Sequence, residues 1–224
     1  MYSSLKNSNS RTLKPVTPYH HICISTHTLS ISLSLTHTHT HTHTQIAAEL
    51  VCDNDDDFSV LCNLIKLTNL IDDWTNENVA WTVFAPTNDA FATMMGPAAE
   101  GNLTTEELID VLVNETLVGG LFDNPENLLK QILQFHAVED KKLLSTDLPC
   151  QAGENLITMP NGKNARIMCK AGSPAGIKGS GNNVAADFNV TDVDVTACNG
   201  VIHVIDDVLL FDELYINQDR MEDG

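Results

Sequence analysis

Two runs far apart in the sequence constrain this chain most: Trp81-Thr-Val-Phe-Ala-Pro-Thr-Asn-Asp-Ala-Phe91 and Asn199-Gly-Val-Ile-His-Val-Ile-Asp-Asp-Val-Leu-Leu-Phe211. In the first, an alternating, β-rich stretch from Trp81 to Ala85 is stopped by Pro86. Thr87 then caps a short helix through its hydroxyl, with Asp89 in the first turn and Phe91 and Met94 facing inward. The second run reads as a long closing strand. Between the two, helical patterns come first and strand patterns afterwards. That order indicates an α+β domain and not an alternating parallel one.

The helical part opens near Ile46, where residues 46–51 form a short helical pattern ending at Cys52. Asp53-Asn-Asp-Asp-Asp57 alternates acids in the manner of a calcium loop. The EF-hand template asks for Gly and Glu where this chain has Phe58 and Leu64, so that site is excluded. Asp57 reads instead as the N-cap of a helix whose buried face is Phe58, Leu61, Leu64 and Ile65. Leu103-Thr-Thr-Glu-Glu-Leu108 is a capping box, with Thr104 as cap, Glu107 reaching back, and Leu103 and Leu108 as hydrophobic staple. Its apolar face runs through Leu112 and Val113 to about Leu117, and Gly119-Gly120 ends it. Asn124-Pro125 opens a further helix with the buried stripe Leu128, Leu129, Ile132 and Leu133. Strands are expected over residues 154–159, 165–170, 184–190 and 201–210. Asn161-Gly162 signals a hairpin, and residues 172–183, with four glycines, read as a flexible loop.

Lys and Arg number 12 against 30 Asp and Glu, a net charge of −18 over 224 residues. Such a surface repels phosphate backbones and anionic lipid, which argues against nucleic-acid and membrane-surface partners. It suits a secreted protein, a salty medium where surface charge is well screened, or association bridged by a divalent cation such as calcium. No later run approaches the length of a membrane span.

Residues 1–45 are set apart as a low-complexity leader. Alternating Ser and Leu, then alternating Thr and His, are what a translated dinucleotide repeat produces, as from a misplaced start codon. His37, His39, His41 and His43 would share one face of an extended strand, which suits adventitious nickel or zinc binding; no physiological metal site is expected. The apolar stretch 22–35 is diluted by Ser, Thr and His27 and lacks a small-residue cleavage site, so no signal peptide is evident. The domain is placed at residues 46–213 and an acidic tail at 214–224.

Of six cysteines, Cys23 lies in the leader. Cys52 and Cys62 bracket the acid run, and Cys150 and Cys169 flank the hairpin. Closing a loop of about 15 residues is worth roughly 3 kcal/mol in the chain-entropy picture. Cys198 is then left over, or is the true partner of Cys150 or Cys169; spacing leaves the connectivity open. Asn102, Asn114 and Asn189 head Asn-x-Ser/Thr sequons and are candidate glycosylation sites. Within the domain only His136 and His203 could act as a base near neutral pH, and neither lies in a nucleophile or zinc motif. Cys198, His203 and Asp206 or Asp207 could in principle form a Cys-His-Asp set. Structural histidine is the preferred reading of both, with no catalytic residue and no cofactor.

The two runs, with Leu133-Gln-Phe-His-Ala-Val138 between them, resemble the signature stretches of fasciclin domains over about residues 46–211. The resemblance implies a β-wedge of antiparallel strands packed with several α-helices. It also implies a non-enzymatic adhesion or matrix role outside the cell or at its surface, through a protein or glycan partner or self-association. In many animal members a Tyr-His pair linked to integrin binding stands where this chain has Phe135 and His136. These two are therefore the candidate partner-binding residues, with the phenol hydroxyl missing. The runner-up role is a carrier of a small apolar ligand in a cleft between helices and sheet.

Overall fold

The computed structural model describes residues 45–95, 103–114, 125–151, 155–188 and 192–211. The leader with its His tract and Cys23, the sequons at Asn102 and Asn189, Gly119-Gly120 and the acidic tail lie outside the described residues. Six helices come first: α1 (Ala47–Cys52), α2 (Asp55–Leu67), α3 (Ile71–Trp74), α4 (Asn88–Met94), α5 (Thr105–Asn114) and α6 (Pro125–Gln134). Among the described residues only β1 (Trp81–Pro86) interrupts them. The remaining strands follow: β2 (Ala137–Glu139), β3 (Leu156–Thr158), β4 (Asn164–Lys170), β5 (Ser173–Lys178), β6 (Ala186–Asp187), β7 (Val195–Ala197) and β8 (Gly200–Ile205).

The local helix signals mostly act as read. Thr87 accepts from the Ala90 amide to start α4. At α5 the Thr104 hydroxyl accepts from Glu107 N, while the Glu107 carboxylate accepts from Thr104 N at 2.7 Å, satisfying two orphan donors reciprocally. Hydrogen bonding from the Thr104 backbone, then from its side chain, also holds the Glu107 carboxyl below its ordinary pKa. Along α6 the stripe Leu128, Leu129, Ile132 and Leu133 is buried. The expected cap Asp57 is corrected. Asn54 caps α2, its side-chain oxygen accepting from the Asp57 amide, so the helix begins a turn early. This places Asp55, Asp56 and Asp57 in the first turn, where the helix dipole favours negative charge. The backbone leaves helical geometry at Phe58 (φ −128°, ψ 17°), directly after the expected cap. Met94 is only half-buried; its neighbour Met95 takes the core position.

The strands form two four-stranded sheets, ordered β2-β1-β8-β7 and β3-β4-β5-β6. In the first, β1 and β8 run parallel, from Trp81 opposite Gly200 to Pro86 opposite Ile205, while every other pair is antiparallel. Both central strands are buried at all six positions. A strand covered on both faces carries a continuous apolar run, which is why neither shows inward–outward alternation. The closing strand ends at Ile205, and residues 206–210 continue without pairing as strand.

The second sheet alternates over β3 and the first half of β4. Ile157, Ala165, Ile167, Ile177 and Ala186 point into the core, while Leu156, Thr158, Asn164, Arg166 and Met168 face out. The Asn161-Gly162 hairpin joins β3 to β4, closed by Gly162 N donating to Met159 O at 2.8 Å. The expected loop over 172–183 is corrected, since its first half is β5. Glycine there permits close packing: a Cβ on Gly176 would sit 2.3 Å from the Ala186 carbonyl oxygen of β6. The expected strand 184–190 shrinks to the two residues of β6, followed by a bridge from Phe188 to Ile205 that joins the sheets.

Candidate functional site

The two signature runs meet in the parallel pair of β1 and β8, so their residues lie inside the molecule. Asn199 shows how. Its side-chain oxygen accepts from Ala47 N at 2.8 Å, its amide donates to Trp74 O at 2.9 Å, and its backbone carbonyl accepts from Trp81 N at 2.8 Å. One buried amide thereby ties α1, α3 and β1 to the start of β8. Thr82, also buried, donates to Lys141 O and accepts from Leu143 N. Neither partner set is legible from local pattern, although a polar side chain within or beside an apolar strand is itself a sign of a built-in partner.

The candidate partner-binding residues Phe135 and His136 are 0% and 1% exposed, so neither offers surface to a partner in this structure. Phe135 packs edge-on against Phe211, ring centroids 5.5 Å apart. His136 Nδ1 donates to Ile132 O, and Nε2 accepts from Leu209 N, both at 2.8 Å. The ring is a clamp between the end of α6 and the segment after β8. Burial holds its pKa down to about 4, against a smaller opposing effect of the Ile132 carbonyl, so it is neutral at pH 7.

His203 is equally buried, stacked on Phe84 at 5.5 Å and close to Phe188 at 5.7 Å. Its Nε2 donates to Leu143 O at 2.9 Å, and Nδ1 accepts from Asp194 N at 3.3 Å. The Asp194 carboxylate lies 3.7 Å from Nδ1, yet burial outweighs that attraction and lowers the imidazole pKa. An acceptor nitrogen must also stay deprotonated, so the pair is a polar contact with a neutral ring. Asp194 in turn accepts from the backbone and hydroxyl of Ser145. Both ring nitrogens are thus engaged, and neither is directed to Cys198 or to Asp206 and Asp207. Among the described residues, no group of three or more His, Cys, Asp or Glu side chains is arranged to hold a metal ion.

Cys52 and Cys62 are joined with S–S 2.03 Å, linking α1 to α2, and Cys150 and Cys169 with S–S 1.99 Å, linking the approach to β3 with β4. Cys198, half-buried, belongs to neither bridge. Asn114 is the last residue of α5. Between helices and first sheet, where a carrier would need its cleft, Val83, Phe84, Leu64 and Ile65 are packed at 0–1% exposure. A depression of about 460 Å³ lies elsewhere, beside the Cys150–Cys169 bridge on the second sheet, walled by Gln151, Asn155, Leu156 and Arg166. Among the described residues no helix is long and apolar enough to cross a membrane.

Comparison with known proteins agrees with this architecture. The Fasciclin domain family profile matches residues 56–211. A protein of Synechocystis sp., Protein sll1483, is 33% identical over 154 residues, 68% of this chain and 67% of that protein. The structure of a FAS1 domain pair from the insect cell adhesion molecule Fasciclin I superimposes with a TM-score of 0.54 at 19% identity. That match covers 76% of this chain and 52% of the pair, so the chain spans about half the length of that protein. A family match over most of the described fold, with both signature runs paired in one sheet, leaves a single assignment: the chain belongs to the fasciclin domain family.

Proposed function

We propose that this chain is a non-enzymatic adhesion or matrix-interaction module working outside the cell or at its surface. The observation that carries the reading is the pair of disulfides within a fasciclin fold. Bridges of this kind persist in oxidising compartments. The signature residues serve packing, so recognition falls to the outer surface, and the partner is a cell-surface or matrix protein or glycan, or a second copy. Glycosylation at Asn102, Asn114 and Asn189 belongs to the same reading. The direct test is tagged expression from a verified start in the native cell, with non-reducing mass mapping of the recovered protein. Export with both bridges formed is expected. A cytosolic protein with reduced thiols sinks the proposal.

A further inference from the structure

The chain's few cations are not spread evenly. Residues 155–186 contain Lys163, Arg166, Lys170 and Lys178 out of 12 Lys and Arg, and none of the 30 Asp and Glu. The fold sets two of them, Arg166 and Lys178, side by side on one surface. Arg166 stands on the outer face of β4, and Lys170 is exposed at the end of the same strand, past a register shift between Met168 and Cys169. Lys178 of β5 is directly opposite Arg166 in register, and Leu156 of β3 is opposite Arg166 on the other side. Cross-strand partners share a face, so this row reads Leu156, Arg166, Lys178. Met168 lies in the next row, followed across the sheet by Gly176 and Asp187, the face's carboxylate at its far edge.

Like charges directly opposite one another destabilise a sheet. The hydrogen-bond partners of Arg166 and Lys178 among the described residues are uncharged. Arg166 Nη1 donates to the Asn155 side-chain oxygen at 3.0 Å and Lys178 Nζ to the Asn183 carbonyl at 2.9 Å, both neutral acceptors. Among the described residues no carboxylate lies within ion-pair distance of Arg166, Lys170 or Lys178. The groups that orient Arg166 and Lys178 among the described residues therefore carry no charge. Beside them Leu156 and Met168 are 52% and 36% exposed, and Arg166 also walls the depression next to the Cys150–Cys169 bridge.

From this juxtaposition we infer that the outer face of the second sheet docks a short acidic segment of a partner protein, one with an apolar side chain beside its carboxylates. Charge complementarity selects an anion, and the exposed Leu156 and Met168 select a peptide carrying apolar groups. A short segment is favoured over a long polyanion by the rest of the molecule. With a net charge of −18, the surface beyond this face repels any chain that extends past it. Screening over about 8 Å lets a segment confined to the face escape that repulsion. The inference rests on the partner-binding role proposed above and names the partner's chemistry.

The test uses the full chain and a labelled synthetic peptide of glutamates flanking a leucine pair, followed by fluorescence anisotropy. Saturable binding is expected, weakened by added salt and absent for the same peptide with glutamine in place of glutamate. Arg166→Gln and Lys178→Gln each weaken it about tenfold, the scale of one charge-assisted contact. Lys178→Glu makes an opposite-charge pair with Arg166, so it raises the melting temperature while reducing peptide binding. That combination excludes misfolding as the cause. Absence of saturable binding, or binding unchanged in these variants, overturns the inference. So does capture of heparin fragments or phosphatidylserine vesicles where the peptide fails. Export from the cell without peptide binding sinks this inference alone, and peptide binding by a cytosolic protein sinks the adhesion reading alone.

Discussion

Acid should loosen this domain through His136. Its ring accepts the Leu209 amide and donates to the Ile132 carbonyl, and it is held neutral in the core. Burial lowers its pKa from 6.5 to about 4. Between those values the unfolded chain binds the proton and the folded chain does not, so stability rises with pH across that window. The contribution is fully present above pH 6.5 and is lost as pH falls towards 4. A shift of this size corresponds to about 3 kcal/mol, of which about 2 kcal/mol is already lost at pH 5. His136→Leu isolates the effect. At neutral pH it leaves the Leu209 amide and the Ile132 carbonyl unpaired and costs about 2–4 kcal/mol. The variant cannot titrate, so its deficit relative to the native chain narrows by about 2 kcal/mol between pH 7 and pH 5. Urea unfolding followed by fluorescence of the buried Trp74 and Trp81 measures both quantities, and His136→Gln serves if the leucine variant does not fold. A deficit that stays constant across the two pH values refutes the reasoning.

Other expectations follow from the same structure. Gly200→Ala places a Cβ 2.3 Å from the Trp81 carbonyl oxygen inside the parallel pair, so it should unfold the domain or lower its melting temperature sharply; a near-native melt would contradict the register. Serine at Cys150 and Cys169 opens a loop with a sequence separation of 19 residues and should cost about 3 kcal/mol in denaturant unfolding. Thr87→Ala removes the cap of α4 and should cost about 1 kcal/mol by the same measurement. The acidic surface is expected to associate when millimolar calcium bridges it; light scattering with no change in apparent mass would end that idea.

Features legible in the sequence were those closed over short distances along the chain. The Thr87 cap, the Thr104–Glu107 box, the α6 stripe and the hairpin at Asn161-Gly162 each involve partners within a few residues, so local pattern carries them. The α2 cap lies one turn before the expected residue because Asn54 and Asp57 are both competent caps and Asn54 takes the helix start, with the helical geometry interrupted just after Asp57 at Phe58. β2, β5 and β7 were missed for a different reason. They are short or glycine-bearing and become strands only because a neighbour supplies the ladder.

By itself the sequence determined the order of helices before sheet, the capped helix starts, the strong acidity, and the family through its two signature runs. Tertiary structure alone decided that those runs pair parallel, that Phe135 and His136 are interior, and that Arg166 and Lys178 face one another on an outer surface. The physical reason is separation. Hydrogen bonds such as Leu209 to His136 and Asn199 to Trp74 join residues 73 and 125 positions apart. Neither residue's neighbours in the chain say which distant backbone group will fill it. Only closure of the core brings them within bonding distance.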